Sequence, residues 1–99
     1  MARYLVTYHG GEMPADPAAM EMVKAAFGSW LGEAGSAVID PGAPVRKVGH
    51  VSNGNTASAE VGGYTIIEAA SVGEAEAVLR SHPFVARGGA LQVNEILVV

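Results

Sequence analysis

The chain opens on a period of two. Tyr4, Val6 and Tyr8 fall to one side, and Leu5, Thr7 and His9 to the other. With aromatic and β-branched types enriched, this predicts a strand over Arg3–His9, stopped by Gly10-Gly11. The period then lengthens. Asp16-Pro17 is a helix start, since Asp accepts free N–H groups and Pro suits the first helical position. Met20, Val23, Phe27, Trp30, Leu31 and Ala34 recur at helical spacing up to Gly35. Gly28 and Gly32 cost this helix roughly 1 kcal/mol each against Ala. Close backbone packing would offset that cost; a kinked helix is the other reading. After the short apolar run at Ala37–Asp40, the punctuation Pro41-Gly42 and Pro44 follows. Val45–Val51 then alternates again, Asn53-Gly54 signals a tight turn, and Tyr64–Ala69 is rich in strand formers. Residues 45–69 therefore read as a hairpin. Ser71 and Glu74 form a capping box that opens a second helix, with Val72, Ala75, Leu79 and His82 on one face. His82-Pro83 ends that helix, where a cation is favourable. Leu91–Val99 predicts a last strand, closing on the apolar run Ile96–Val99.

The order β-α-β-β-α-β predicts an α+β, ferredoxin-like fold. Two helices cover one face of a four-stranded antiparallel sheet whose first and third strands are central. Tyr4, Val6, Tyr8, Ile66, Val93 and Leu97 are expected on one face. Leu5, Thr7, His9, Thr65, Ile67, Asn94, Ile96 and Val98 are expected on the other, which is apolar but studded with polar groups. The helices cover one face only, so the other is expected to pack on a second copy, making a homodimer.

At 99 residues, 49% hydrophobic and 16% charged, the whole stretch 1–99 suits a single folded domain. The absence of cysteine excludes disulfides and thiolate chemistry. A net charge of −4 argues against nucleic acid as a partner. No apolar run approaches the roughly 20 residues of a membrane span, and the first residues do not read as a signal peptide, so a soluble cytoplasmic protein is expected.

Several segments resemble the YCII-related family, particularly its DGPF branch. They are Arg3–Gly10 as the first strand, Glu33-Ala34-Gly35 with Val38-Ile39-Asp40, Gly62-Gly63-Tyr64-Thr65-Ile66-Ile67-Glu68, Glu74-Ala75, and Ser81-His82-Pro83-Phe84-Val85. Their order spans nearly the whole chain. The resemblance implies a dimeric α+β barrel with two sheets around a cleft. Asn53-Gly54-Asn55-Thr56 stands where the branch name has Asp-Gly-Pro-Phe. The first-helix histidine of some members has no counterpart.

The candidate chemistry is proton transfer. His9 ends a central strand, and imidazole titrates near neutral pH. Asp40, before Pro41-Gly42, is its candidate orienting partner, and Tyr64 on the neighbouring strand a candidate phenolic donor. The structural alternatives are a hydrogen-bonded histidine, a turn-capping aspartate and a packed tyrosine. His50 reads as an exposed edge residue and His82 as a helix terminator. No histidine pair has metal-ligand spacing, so neither metal nor cofactor is expected. Two functions remain open. One is a cofactor-free enzyme acting on a small molecule, of the lyase, isomerase or dehydrohalogenase-like class that the resemblance implies. The other is a non-catalytic dimer that binds a small ligand or supports another protein.

Overall fold

In the computed structural model, which describes residues 1–11 and 14–99, β1 (Ala2–Gly10) leads into α1 (Pro17–Ala34) and a single 3-10 turn. Then follow β2 (Val38–Pro44), β3 (Gly63–Ala69), α2 (Val72–Leu79), the short α3 (Pro83–Ala86) and β4 (Gly89–Glu95). The sheet is antiparallel in the order β2-β3-β1-β4, so β1 and β3 are central. This is the ferredoxin-like α+β arrangement. Its core joins Tyr4, Val6, Ile67 and Ala69 of the sheet to Trp30 of α1 and to Ala75 and Leu79 of α2. Among the described residues no helix is long and apolar enough to cross a membrane.

The register corrects the expected face of β3. Tyr4 lies opposite Ile67, Val6 opposite Thr65 and Tyr8 opposite Gly63. Directly opposed residues share a face. Thr65 and Ile67 therefore sit under the helices with Tyr4, Val6 and Tyr8. Ile66 and Tyr64 share the open face with Leu5 and Thr7. A shift of one residue exchanges every side chain between the faces, and alternation alone does not set that shift.

The second strand is also earlier than expected. Val38–Pro44, not Val45–Val51, pairs with β3, through irregularities between Val38 and Asp40 and between Asp40 and Ala43. The Val45 N–H bonds the Gly62 carbonyl at 3.0 Å and closes the pairing there. The rest of residues 45–62 forms an exposed connection with no strand of its own, so the expected hairpin over 45–69 is absent. The prolines at 41 and 44 obscure β2 in the sequence, yet an edge strand accepts them. Strand β4 stops at Glu95, and Leu97–Val99 stand exposed beyond it.

The caps match the sequence. Asp16 Oδ1 accepts from the Ala19 N–H at 2.8 Å, and Pro17 opens α1. A Cβ at Gly28 or Gly32 would meet nothing within 4 Å, so neither marks the close packing expected there. Ser71 Oγ accepts from the Glu74 N–H at 3.2 Å. The Glu74 carboxylate reaches the Ala70 N–H rather than that of Ser71. Val72, expected on the buried face of α2, is 55% exposed. Replacing Ser71 by Ala is expected to lower stability by about 1 kcal/mol, measured by urea unfolding, through loss of this cap.

Candidate functional site

A cavity of about 360 Å³ opens beneath the N-terminal half of α1. Met20, Val23, Lys24 and Phe27 form its roof, the β2 segment Pro41–Pro44 one side, and His82, Pro83, Phe84 and Arg87 the other. Tyr8, Gly62, Gly63 and Tyr64 contribute from the central strands. The apolar stripe of α1 thus has two uses. Its end at Trp30 and Leu31 packs on the core, while Met20 and Val23 face a cavity. The opposing glycines, proline and alanine have too little side chain to fill that space.

A hydrogen-bonded run crosses the cavity wall. The Phe84 N–H donates to His82 Nδ1 at 3.0 Å. An amide nitrogen is a fixed donor, so Nδ1 is the bare nitrogen of the ring and Nε2 carries the proton. Nε2–H therefore donates to the Tyr8 hydroxyl at 2.8 Å. Tyr8 then donates to Thr65 Oγ1 at 2.7 Å, and Thr65 donates to the Pro41 carbonyl at 3.0 Å. With a fixed donor at one end and a fixed acceptor at the other, every proton in the run has one direction.

Packing holds this run in place. His82 is 2% exposed. Its ring centroid lies 4.4 Å from that of Trp30, 5.6 Å from Phe27 and 5.1 Å from Tyr8, which it meets nearly edge-on. The Trp30 indole N–H is anchored on the Val78 carbonyl at 3.2 Å. Burial, and secondarily the Arg87 charge, push the His82 pKa down to about 4. The expected cation at a helix end is therefore a neutral imidazole that caps α3 instead. Burial also raises the Tyr8 pKa, against smaller opposite effects of the Thr65 hydrogen bond and Arg87.

No hydrogen bond joins His9 to Asp40. His9 Nδ1 donates to the Glu60 carbonyl at 2.9 Å, and Nε2 contacts Thr7 Oγ1 at 2.7 Å. The ring thus ties β1 to the end of the 45–62 connection. Asp40 Oδ1 accepts from the Gly42 N–H at 2.8 Å. Gly42 has φ of 74°, and a Cβ there would come 1.7 Å from the Tyr64 carbonyl oxygen, so the turn requires glycine. Of the three expected site residues, Tyr64 alone borders the cavity, although its register sets its side chain on the open face with Thr7. His50 binds the Thr56 carbonyl at 2.9 Å in the exposed connection. The sequence did not point to Tyr8, Thr65, His82 or Arg87 as site residues. The available signal was the shared helical face of Ala75, Leu79 and His82, which marks a buried histidine.

No protein-family model matches the chain, and no curated protein matches it. Among solved structures, it resembles 5-chloro-2-hydroxyhydroquinone dehydrochlorinase (TftG) from Burkholderia phenoliruptrix, determined in complex with 2,5-dihydroxybenzoquinone. The TM-score is 0.55 at 19% identity, over 91% of this chain and 90% of that one. At this identity the likeness shows a shared fold, in keeping with the α+β, ferredoxin-like arrangement of the sheet and helices.

The buried imidazole makes stability depend on pH. Between about pH 6.5 and 4 the unfolded chain takes up a proton that folded His82 refuses, so stability falls as pH drops through this window. The accumulated loss is expected to be about 3 kcal/mol. Unfolding free energies of the wild type and His82→Gln across this window check it, because the variant lacks this contribution to the slope.

Proposed function

We propose that the chain is a cofactor-free enzyme that catalyses proton transfer on a small ring compound held beneath α1. The observation that carries this reading is the hydrogen-bonded run from Phe84 through His82, Tyr8 and Thr65 to Pro41, at the wall of a largely apolar cavity. Small-ligand sites have this character: apolar walls and a few convergent polar groups. Tyr8 is the acid. Its phenol stays protonated at neutral pH and donates to a ligand oxygen as negative charge builds there. The phenolate left behind accepts from His82 Nε2–H, which already points at it, and lies in the field of Arg87. His82 is a positioning residue, since its own protonation never changes. Asp40 supports the site by holding the Gly42 turn next to the Pro41 carbonyl. His9 secures the 45–62 connection, and Tyr64 stands at the cavity edge. Dehydrochlorination, the activity in the neighbour's name, belongs to this reaction class: the proton and the chloride lost from the ring pass to solvent water, and the Tyr8 phenolate is reprotonated from the same water.

A second reading is a non-catalytic ligand-binding protein. It is favoured by the fact that each proton of the run already has an acceptor within the chain. One experiment separates the two. Chloride release from 5-chloro-2-hydroxyhydroquinone and binding of 2,5-dihydroxybenzoquinone, the neighbour's compounds, are measured for the wild type and Tyr8→Phe. Turnover is expected to fall about 100-fold or more in the variant, while binding changes less than about tenfold. Binding without chloride release supports the second reading. Absence of both rejects the neighbour's ring as substrate.

We also propose that the open sheet face packs on a second copy. Leu5, Thr7 and Ile66 are only half-buried there, and Ile96, whose N–H bonds the Arg3 carbonyl just beyond β4, is 43% exposed. A specific dimer buries about 1,000 Å² or more. Sedimentation at tens of micromolar is expected to give a dimer, and a monomer there refutes the proposal.

A further inference from the structure

Arg87 brings an unspent donor to the cavity wall. Its Nε is buried and has no hydrogen-bond partner among the described residues. Its guanidinium carbon stands 5.5 Å from the centroid of the Phe84 ring. The ion pairs among the described residues are Arg3–Glu68, Lys24–Glu21 and Lys47–Glu60, and Arg87 is in none of them. Among the described residues no Asp or Glu lines the cavity. Lys24 is the other cation of the lining. Its side chain is 68% exposed and 3.6 Å from Glu21, which places its charge at the mouth and partly answers it.

An arginine cannot escape this situation by losing its proton. The neighbouring polar groups do not help it, because His82 Nε2 and Tyr8 present donors that are already committed to each other and to Thr65. A buried charged N–H left without an acceptor carries its full desolvation cost. An anionic oxygen in the cavity answers the guanidinium charge and matches its planar donor fork. The remaining walls specify the rest of the ligand. Phe27, Phe84, Pro41, Pro44 and Pro83 offer flat apolar surface. A volume of about 360 Å³ lies at the small end of ligand sites, which suits a single substituted ring.

We propose that Arg87 is the anion-binding residue of the cavity and that the ligand is a small aromatic anion, with its ionised oxygen on the guanidinium and its ring against Phe27 and Phe84. This rests on the reading of the cavity as a small-molecule site and names the ligand class of that site. Recognition depends on charge, so an isosteric neutral ring is bound more weakly.

The test is calorimetric or NMR titration with benzoate, benzamide and inorganic phosphate at about pH 7.5, each to about 10 mM. Benzoate is expected to bind at least about tenfold more tightly than benzamide or phosphate. Arg87→Gln is expected to abolish that preference, weakening benzoate far more than benzamide. Arg87→Lys keeps the charge without the fork and is expected to lower the preference about threefold or more. It carries the comparison if Arg87→Gln does not fold by circular dichroism. Equal binding of benzoate and benzamide by the wild type overturns the assignment while leaving the cavity reading intact. Survival of the preference in Arg87→Gln, or an undiminished one in Arg87→Lys, does the same. Phosphate binding as tight as benzoate overturns the aromatic part. If neither ring binds, the cavity reading fails and this inference fails with it.

Discussion

The Phe84 N–H points at His82 Nδ1, and that single bond sets the polarity of the site. It forces the Nε2–H tautomer, which makes His82 a donor to Tyr8 and sends the Tyr8 proton on to Thr65. An imidazole buried among Trp30, Phe27 and Tyr8 has no room to take up charge, so it serves as a fixed dipole. The bond exists because α3 begins directly at His82-Pro83, where proline supplies the first helical position and the histidine ring replaces the usual capping oxygen. Close approach of backbone keeps α3 in place. A Cβ at Gly89 would come 2.2 Å from the Phe84 ring, and one at Gly11 2.9 Å from it. These two glycines let the ring lie flat on the start of β4, beside Tyr8.

The other end of the run depends on strand register. Thr65 is fully buried because it opposes Val6 on the helix-covered face. A hydroxyl there needs partners, and it finds Tyr8 on one side and the Pro41 carbonyl on the other. That carbonyl is free to accept because β2 departs from regular pairing between Asp40 and Ala43, where Asp40 holds the Gly42 amide. The irregular edge strand and the buried hydroxyl therefore support each other.

The same irregularity leaves space. Across from Met20, Val23 and Phe27 the sheet offers Pro41-Gly42-Ala43-Pro44 and Gly62-Gly63, which carry little side-chain volume. Packing that is dense near Trp30 becomes a cavity toward the start of α1. The cavity collects charge of one sign, because Arg87 faces it while the acidic residues in described ion pairs, Glu21, Glu60 and Glu68, are spent elsewhere. Burial keeps His82 neutral, and the same guanidinium that lines the cavity adds to that effect.

Much of the fold was legible in local chemistry. Asp16-Pro17 and Ser71 with Glu74 start helices because their side chains satisfy free N–H groups within three residues. Periods of two and of 3.6 located β1, α1 and β3, and their order specified the sheet topology. These signals are short-range and survive in sequence alone. The β2 strand was not legible, since Pro41, Gly42 and Pro44 argue against a strand everywhere except at an edge, and edges are defined by neighbours. The site was less legible still. Tyr8, Thr65 and the pair His82 and Arg87 at the two ends of α3 lie far apart along the chain, and their meeting depends on a register that alternation fixes only up to a shift of one residue. Sequence favoured His9 and Asp40 for chemistry because imidazole and carboxylate are chemically apt. Tertiary structure instead assigned the buried run to a tyrosine, a threonine and a histidine with no charge, because burial, which only the folded chain defines, decides which polar groups must find one another.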